Sequence, residues 1–172
     1  PAIYGEGWPQ FDPGDFARIQ TPIDFLGVNY YSRGLTVNDP TAWPTRARTV
    51  VNPDAEYTAL DWEVYPEGMT RTLKWVRDEY TKLPLYVTEN GVAFEEPEAL
   101  PDDQRSFDDP RRVRYLHAHL RAVQDAIAQG VDVRGYFAWT LMDNLEWGHG
   151  FSKRFGLLHV DRVSLRRTPK TS

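Results

Sequence analysis

The chain of 172 residues has no cysteine, no long apolar run and no surplus of basic residues. Without cysteine it has no thiol nucleophile, disulfide or thiolate-bound metal, although this leaves the compartment open. No apolar stretch approaches the ~20 residues that a membrane-spanning helix requires, so no membrane partner is expected. The 20 Lys and Arg are outnumbered by 25 Asp and Glu, and the formal net charge of -5 argues against nucleic acid as a partner.

The composition is that of a folded domain. The chain is 41% hydrophobic and 13% aromatic, which is enough to bury a core. We expect residues 1–172 to form one domain fragment with no separate second domain. Residues 1–6 resemble neither a signal peptide nor an initiator Met, so we expect a cut or processed end and, as a working hypothesis, a cytoplasmic protein.

Alternating strand-like and helix-like segments predict an α/β fold with a βαβαβ pattern. The predicted elements are, in order, a strand at 23–30, a helix at about 67–80, a strand that begins at 84, a helix between 109 and 130, and a strand at 131–139. The segment at about 39–60 has no periodicity and is predicted to be a surface loop.

Both predicted helices have a regular apolar face. That of the first helix is formed by Met69, Leu73, Val76 and Tyr80. In the second helix Asp109 is a candidate N-cap, Pro110 suits the first turn, and Gly130 can close the C-terminus. The apolar face of the second helix is expected at Val113, Leu116, Leu120, Val123 and Ile127. The side chains expected to face water are Arg111, Arg112, Arg114, Arg121, Gln124 and Asp125.

Parallel strands joined by helices bring their carboxyl ends to one edge of a sheet. Residues 29–31, Glu89 and Trp139 are therefore expected on the same rim, as in a (β/α)₈ TIM barrel. Three strands do not close a barrel, which takes ~250 residues. We interpret the chain as part of such a barrel, incomplete by itself.

Glu89 is the strongest indication of chemistry. It follows the apolar strand residues 85–87 and precedes an Asn90-Gly91 pair, a position from which a barrel presents a nucleophile. The motif alone is more typical of an exposed Glu before an Asn-Gly turn than of a nucleophile. A retaining glycosidase needs two carboxylates, and no second one stands in a comparable setting.

A resemblance to a known family is carried by residues 24–31, 85–91 and 135–147, which contain the three predicted strands, and by residues 151–157. These segments resemble, in order, the sixth, seventh and eighth strands and the following loop of glycoside hydrolase family 1, the β-glucosidase family. The chain as a whole resembles that family's C-terminal portion. The resemblance implies a retaining β-glycosidase in which Glu89 is the catalytic nucleophile. It also implies that Tyr31 donates a hydrogen bond that orients Glu89 and keeps it ionised. In the alternative interpretation Tyr30 and Tyr31 merely alternate between core and rim.

The resemblance further implies a sugar pocket in which each side chain has a role. Glu146 would accept hydrogen bonds from O4 and O6, and the indole N–H of Trp147 would reach O3. Trp139 would form the stacking floor and Phe155 would close the pocket, whereas Asn29 would lie on the aglycone side. Alternatively, the aromatic residues belong to the core and Glu146 is solvated.

Glu146 also bears on the substrate, because a carboxylate would repel a phosphate. We therefore expect an unphosphorylated β-D-glucoside or oligosaccharide, with preference among glucose, galactose and fucose left open, and expect Lys153 and Arg154 to be structural. No cofactor or metal is expected. The acidic residues between 95 and 109 lack the spacing of a calcium loop and are predicted to form a solvated loop, and the four histidines have no zinc-like spacing.

The family's Asn-Glu-Pro motif, which carries the general acid/base, is absent from the chain. The resemblance therefore implies that the N-terminal half of the same enzyme supplies it, as a second chain or as a missing segment. The alternative is a non-catalytic barrel fragment that binds sugar weakly or serves in folding or assembly.

Overall fold

The computed structural model describes residues 5–7 and 9–172. The α-helices in that range are α1 (Asp15–Ile19), α2 (Pro66–Glu79) and α3 (Pro110–Ala128), and short 3₁₀ helices cover Gly5–Gly7 and Trp147–His149. The strands there are β1 (Leu26–Asn29), β2 (Thr36–Asn38), β3 (Ala47–Thr49), β4 (Leu85–Asn90), β5 (Val133–Ala138), β6 (Leu158–Val160) and β7 (Arg167–Pro169). None of the helices described is long and apolar enough to cross a membrane.

The chain forms two compact units. The smaller unit contains the described residues up to Asp24 together with Gly34–Val51. Its strands β2 and β3 pair antiparallel, with Thr36 opposite Thr49. Strand β3 lies inside the segment at about 39–60 that was predicted to be a surface loop, so this part of the prediction is corrected to a strand. Both strands are largely exposed, so no apolar alternation marked them in the sequence.

The larger unit, Phe25–Arg33 and Asn52–Ser172, contains a parallel sheet in the order β1-β4-β5. Helix α2 connects β1 to β4, and α3 connects β4 to β5, so the predicted βαβαβ pattern is confirmed. In the register, Leu26 lies opposite Leu85, which in turn lies opposite Val133. The carboxyl ends of the three strands consequently meet at one edge of the sheet.

Helix α2 buries the face that its spacing predicts. Met69, Leu73 and Val76 pack into the core together with residues of the sheet and of α3. Tyr80 was also expected on this face, but it follows the last helical residue and its side chain is exposed. The helix has ended before Tyr80, so the 3.6-residue repeat no longer directs this side chain to the core.

Helix α3 buries a different side from the one predicted. Val113, Leu120 and Ile127 are 41%, 46% and 48% exposed, whereas Val123 is buried and Leu116 packs against a buried cluster, both as expected. The residues that α3 buries are Arg112, Tyr115, His119, Ala122, Val123 and Ala126. The small side chains of Ala122 and Ala126 let α3 approach α2 and the sheet closely. The larger apolar residues Val113, Leu120 and Ile127 lie outside this contact. We call Val113, Leu120 and Ile127 the α3 stripe.

His119 is fully buried on α3, and its ring stacks on that of Tyr115 with the ring centroids 3.9 Å apart. Its Nδ1 lies 2.9 Å from the backbone oxygen of Tyr115 and donates to it in the neutral tautomer. Burial lowers the pKa of the His119 imidazole to about 4. The folded protein therefore holds this side chain neutral at pH values where the unfolded chain protonates it.

We expect acid to destabilise the protein through His119. The unfolded imidazole titrates near pH 6.5, so its contribution is present above that pH and is lost as the pH falls towards 4. Between pH 7 and pH 5 the loss in unfolding free energy should be ~2 kcal/mol. Urea denaturation of His119→Leu should lack this component, whereas His117→Leu, an exposed position on the same helix, should retain it. An unchanged pH dependence in His119→Leu would contradict the assignment.

Six charged side chains form a buried charge network beneath the loops that follow β4 and β5. They are Arg112, Arg154, Lys170, Glu96, Asp109 and Asp143. Lys170 contacts both Glu96, at 2.7 Å, and Asp143, at 3.2 Å. With three positive and three negative members, each buried charge has a partner of opposite sign, which is the condition for burying charge at all.

This network corrects two predictions. Glu96 and Asp109 belong to the acidic stretch predicted to be solvated, yet both side chains are buried. Arg112 was expected to face water, yet it is buried between these two carboxylates. Asp109 does occupy the N-cap position, but its side chain makes no capping hydrogen bond and contacts Arg112 instead. A run of charges in a sequence does not reveal that Lys170, 74 positions after Glu96, neutralises it.

Candidate active site

An irregularity in β4 decides where Glu89 points. Leu85 and Val87 pack into the core between the sheet and the helices. Regular alternation would send residue 89 to that same side. The register between β4 and β5 instead shifts between Val87 and Asn90, and Asn90 contacts Tyr115 of α3. Glu89 is thereby left on the opposite side of the strand from the helices. It lies within β4, rather than after a short strand as the sequence indicated.

Tyr31 directs its hydroxyl to Glu89. The phenolic oxygen donates a hydrogen bond to Glu89 Oε2 at 2.9 Å. Burial and this bond to the carboxylate both raise the pKa of Tyr31, so it stays a protonated donor at neutral pH. The neighbouring Tyr30 instead belongs to the core, where its hydroxyl donates to the backbone oxygen of Tyr65 at 2.7 Å. Of the two tyrosines, only Tyr31 contacts the carboxylate.

A cavity of about 300 Å³ lies next to Glu89. Its lining residues are Tyr31, Trp62, Glu89, Trp139, Glu146, Trp147 and Phe155. Six of the seven site residues predicted from the sequence therefore surround one pocket. Asn29 is not among the lining residues; its side chain is exposed and accepts a hydrogen bond from the Thr88 hydroxyl at 2.7 Å.

The lining residues differ in how tightly they are held. Phe155 and Glu146 are both buried. Trp147 as a whole residue is 89% exposed, so its indole is open to a ligand. The backbone nitrogen of Trp139 donates to the oxygen of Asn90 at 2.9 Å, which ties the end of β5 to β4. A Cβ atom at Gly91 would overlap the Trp139 carbonyl, so this close approach requires glycine.

Trp62 is a pocket residue that the sequence did not indicate. Its ring centroid lies 5.3 Å from that of Tyr31 and 6.2 Å from that of Phe155. Trp62 comes from the segment before α2, which has no helix or strand periodicity. Its one available signal was that it is a large aromatic residue in a segment between two predicted elements.

A second group of potential ligands lies in the buried charge network. Ligand atoms of Glu96, Asp143 and His159 lie within 4.8 Å of one another. Lys170 already contacts both carboxylates, and His159 Nε2 lies 3.0 Å from the backbone oxygen of Pro97. A bound cation would have to compete with the positive charges already in place. We therefore assign this group to the fold.

Aromatic rings around two carboxylates at the carboxyl ends of parallel strands are typical of a carbohydrate-active (β/α)₈ enzyme. The chain belongs to glycosyl hydrolase family 1, whose family model matches residues 4–172. It is 43% identical over 164 residues to beta-glucosidase A of Thermotoga maritima, covering 95% of this chain and 36% of that protein. It is 41% identical over 177 residues to the bifunctional beta-D-glucosidase/beta-D-fucosidase of Bifidobacterium breve, covering 96% and 38%.

A comparison with a solved structure also supports membership of this family. The family 1 β-glucosidase from Thermotoga maritima superimposes with a TM-score of 0.88 at 40% identity, covering 99% of this chain and 37% of that one. The chain thus spans less than two fifths of the length of these relatives. The predicted fold class, part of a (β/α)₈ barrel, is confirmed.

Proposed function

We propose that this chain is the nucleophile-bearing part of a retaining β-glucosidase. The observation that carries the proposal is the hydrogen bond from Tyr31 to Glu89 beside an aromatic pocket. A carboxylate that attacks carbon must be ionised and held in one orientation, and a phenolic donor serves both needs. By "the complete protein" we mean these residues together with the remaining strands of the barrel.

In the proposed mechanism Glu89 attacks the anomeric carbon of a β-glucoside. A general acid protonates the glycosidic oxygen as its bond to that carbon breaks, and a covalent glycosyl-enzyme forms on Glu89. The same group, now a base, then removes a proton from water. The water oxygen displaces Glu89 from the anomeric carbon, so the sugar leaves with its β configuration retained.

Four pocket residues are proposed to recognise the sugar. Glu146 accepts hydrogen bonds from O4 and O6, and the exposed indole of Trp147 donates to O3. Trp139 provides an apolar floor for the ring, while Phe155 closes the pocket next to Tyr31, with the two ring centroids 6.2 Å apart. A phosphorylated sugar is not expected to bind, because the Glu146 carboxylate would repel its phosphate group.

The general acid/base is proposed to come from the N-terminal part of the barrel. The relatives are more than twice as long as the chain, which leaves room for this part. Whether it belongs to the same polypeptide or to a second chain is part of the proposal to be tested. Glu146, the other carboxylate in the pocket, is the competing candidate for this role.

The substitution Glu146→Ala separates these two roles. If Glu146 binds hydroxyl groups, the substitution should lower kcat/KM of the complete protein for glucosides. The fall should correspond to a loss of roughly 2–4 kcal/mol of transition-state stabilisation, since charged hydrogen bonds strengthen in the transition state. Substrates that lack the O4 or O6 hydroxyl should show a smaller loss. Steady-state kinetics with matched deoxy-glucosides measures the difference.

Azide provides the control for this experiment. If Glu146 were the acid/base, azide would restore turnover of an activated substrate and give a β-glucosyl azide. We expect no such rescue. The midpoint of thermal unfolding should change little in the variant. A variant with strongly lowered stability but unchanged activity per folded molecule would identify Glu146 as structural.

A further inference from the structure

Asn90 lies immediately after the proposed nucleophile, and its side chain is fully buried. Its Nδ2 donates to the backbone oxygen of Tyr30 at 2.7 Å and to the hydroxyl of Tyr115 at 3.0 Å. Its Oδ1 accepts from the hydroxyl of Tyr136 at 2.7 Å. These three partners come from the end of β1, from α3 and from β5. One amide thus braces three elements around β4.

The hydroxyl of Tyr115 extends this brace to Tyr31. It accepts from Asn90 and donates its own hydrogen to the backbone oxygen of Tyr31 at 3.2 Å. Burial raises the pKa of Tyr115, so the hydroxyl keeps the proton that it donates. Asn90 and Tyr115 therefore hold two consecutive carbonyl groups, those of Tyr30 and Tyr31, in place.

The same backbone carries the phenol that contacts Glu89. Tyr30 also donates its backbone N–H to the backbone oxygen of Glu89 at 3.0 Å, so the chain just after β1 is joined to β4 at this point. A small rotation of the Tyr31 backbone would move its hydroxyl, which stands at the end of a long side chain, by a larger distance. The strand irregularity that turns Glu89 away from the helices places Asn90 on the helix side, where it can fix both partners.

We propose that Asn90 and Tyr115 are positioning residues for the nucleophile. They set the backbone at Tyr30 and Tyr31, and through it the hydroxyl that orients Glu89. The inference rests on the proposed function, because it needs Glu89 to be the nucleophile. Neither Asn90 nor Tyr115 lines the pocket, so their effect reaches the sugar only through Tyr31 and Glu89.

The substitution Tyr115→Phe in the complete protein tests the inference, because it removes one hydroxyl and keeps the ring. A 2-deoxy-2-fluoro glucoside with a good leaving group would be used to label the nucleophile. The maximal rate of labelling should fall roughly 10- to 100-fold, the scale on which misplaced reacting groups cost rate. The concentration that gives half of that rate should change less than about threefold, since sugar contacts are unaltered.

Two further variants keep the test decisive. Tyr80→Phe removes the hydroxyl of an exposed tyrosine that follows α2 and does not line the pocket, and it should label at the unsubstituted rate. Asn90→Asp keeps an acceptor for Tyr136 but removes both donated hydrogen bonds, and should slow labelling at least as much as Tyr115→Phe. If Asn90→Asp does not fold, Tyr115→Phe decides alone.

The outcomes separate this inference from the proposed function. Labelling of Glu89 in the unsubstituted protein, with an unchanged rate in Tyr115→Phe, would overturn the positioning role and leave the nucleophile intact. A parallel loss of rate and apparent affinity would likewise reject positioning in favour of a general structural role. Labelling of a residue other than Glu89 in the unsubstituted protein would instead refute the proposed function.

Discussion

Replacement of Glu89 by glycine should abolish hydrolysis by the complete protein. Without this carboxylate no covalent glycosyl-enzyme can form, and loss of a covalent nucleophile costs on the order of 10⁴-fold or more in kcat. Binding should be largely preserved, because Glu146, Trp139 and Trp147 remain. The measurement is kcat for an aryl β-glucoside, with the folded fraction determined by thermal unfolding.

The vacated space gives this experiment a positive readout. Azide can enter where the carboxylate stood and attack an activated β-glucoside from the opposite face of the sugar. The product should be an α-glucosyl azide, which NMR distinguishes from the β anomer. Rescue of Glu89→Gly with the β anomer as product would contradict the assignment, as that outcome identifies an acid/base residue.

Direct labelling provides an independent control. A 2-deoxy-2-fluoro glucoside slows both chemical steps, while a good leaving group accelerates the first, so the glycosyl-enzyme accumulates. Peptide mapping should place the label on Glu89. A label on Glu146 would identify that residue as the nucleophile and would refute the proposed mechanism.

Parts of the fold were predictable because the signals are local. The spacing of Met69, Leu73 and Val76 predicted the buried face of α2, and the alternation of strand-like and helix-like segments predicted the parallel sheet. Once the strands are parallel, the common edge follows from topology alone. The juxtaposition of Tyr31 and Glu89 could therefore be expected, although the resemblance, rather than the spacing, suggested the hydrogen bond.

Other features depend on partners that are distant in sequence. Arg112 is a charged residue of the kind usually exposed on a helix, and its burial depends on ion pairs with Glu96 and Asp109. The strand irregularity before Asn90 has no signature in a run of Val, Thr and Glu, yet it decides which side of β4 carries the carboxylate. Trp62 lies in a segment without regular structure, so no periodicity could predict that its side chain lines the pocket.

The residues of the α3 stripe have the predicted apolar spacing, but they are not the residues that α3 buries. Three large apolar residues seven positions apart do mark an apolar surface, but the larger unit leaves that surface exposed. Tyr115, His119 and the alanines of α3 make the internal contact instead. An exposed stripe of this kind on a barrel helix fits a contact with a neighbouring helix of the remaining barrel.

Residues 1–172 alone should show no measurable turnover of an unactivated β-glucoside. Glu89 can expel a poor leaving group only with a general acid, and such assistance is worth ~10²–10⁴-fold. Binding energy from the remaining strands is lost in addition. The chain should also self-associate, because within the described residues β1 and β5 are the edge strands of the sheet and the α3 stripe is exposed.

Co-expression with a separate segment that supplies the first five strands and an Asn-Glu-Pro motif should restore both solubility and activity. Light scattering and hydrolysis of an aryl glucoside measure the two effects. The matched control is the same mixture made with the Glu89→Gly form of this chain, which should regain solubility without activity. That separation would show that assembly and chemistry are distinct contributions of the chain. Full activity of purified residues 1–172, with no second polypeptide detectable by mass spectrometry, would contradict the need for a partner and make Glu146 the first candidate for the missing acid.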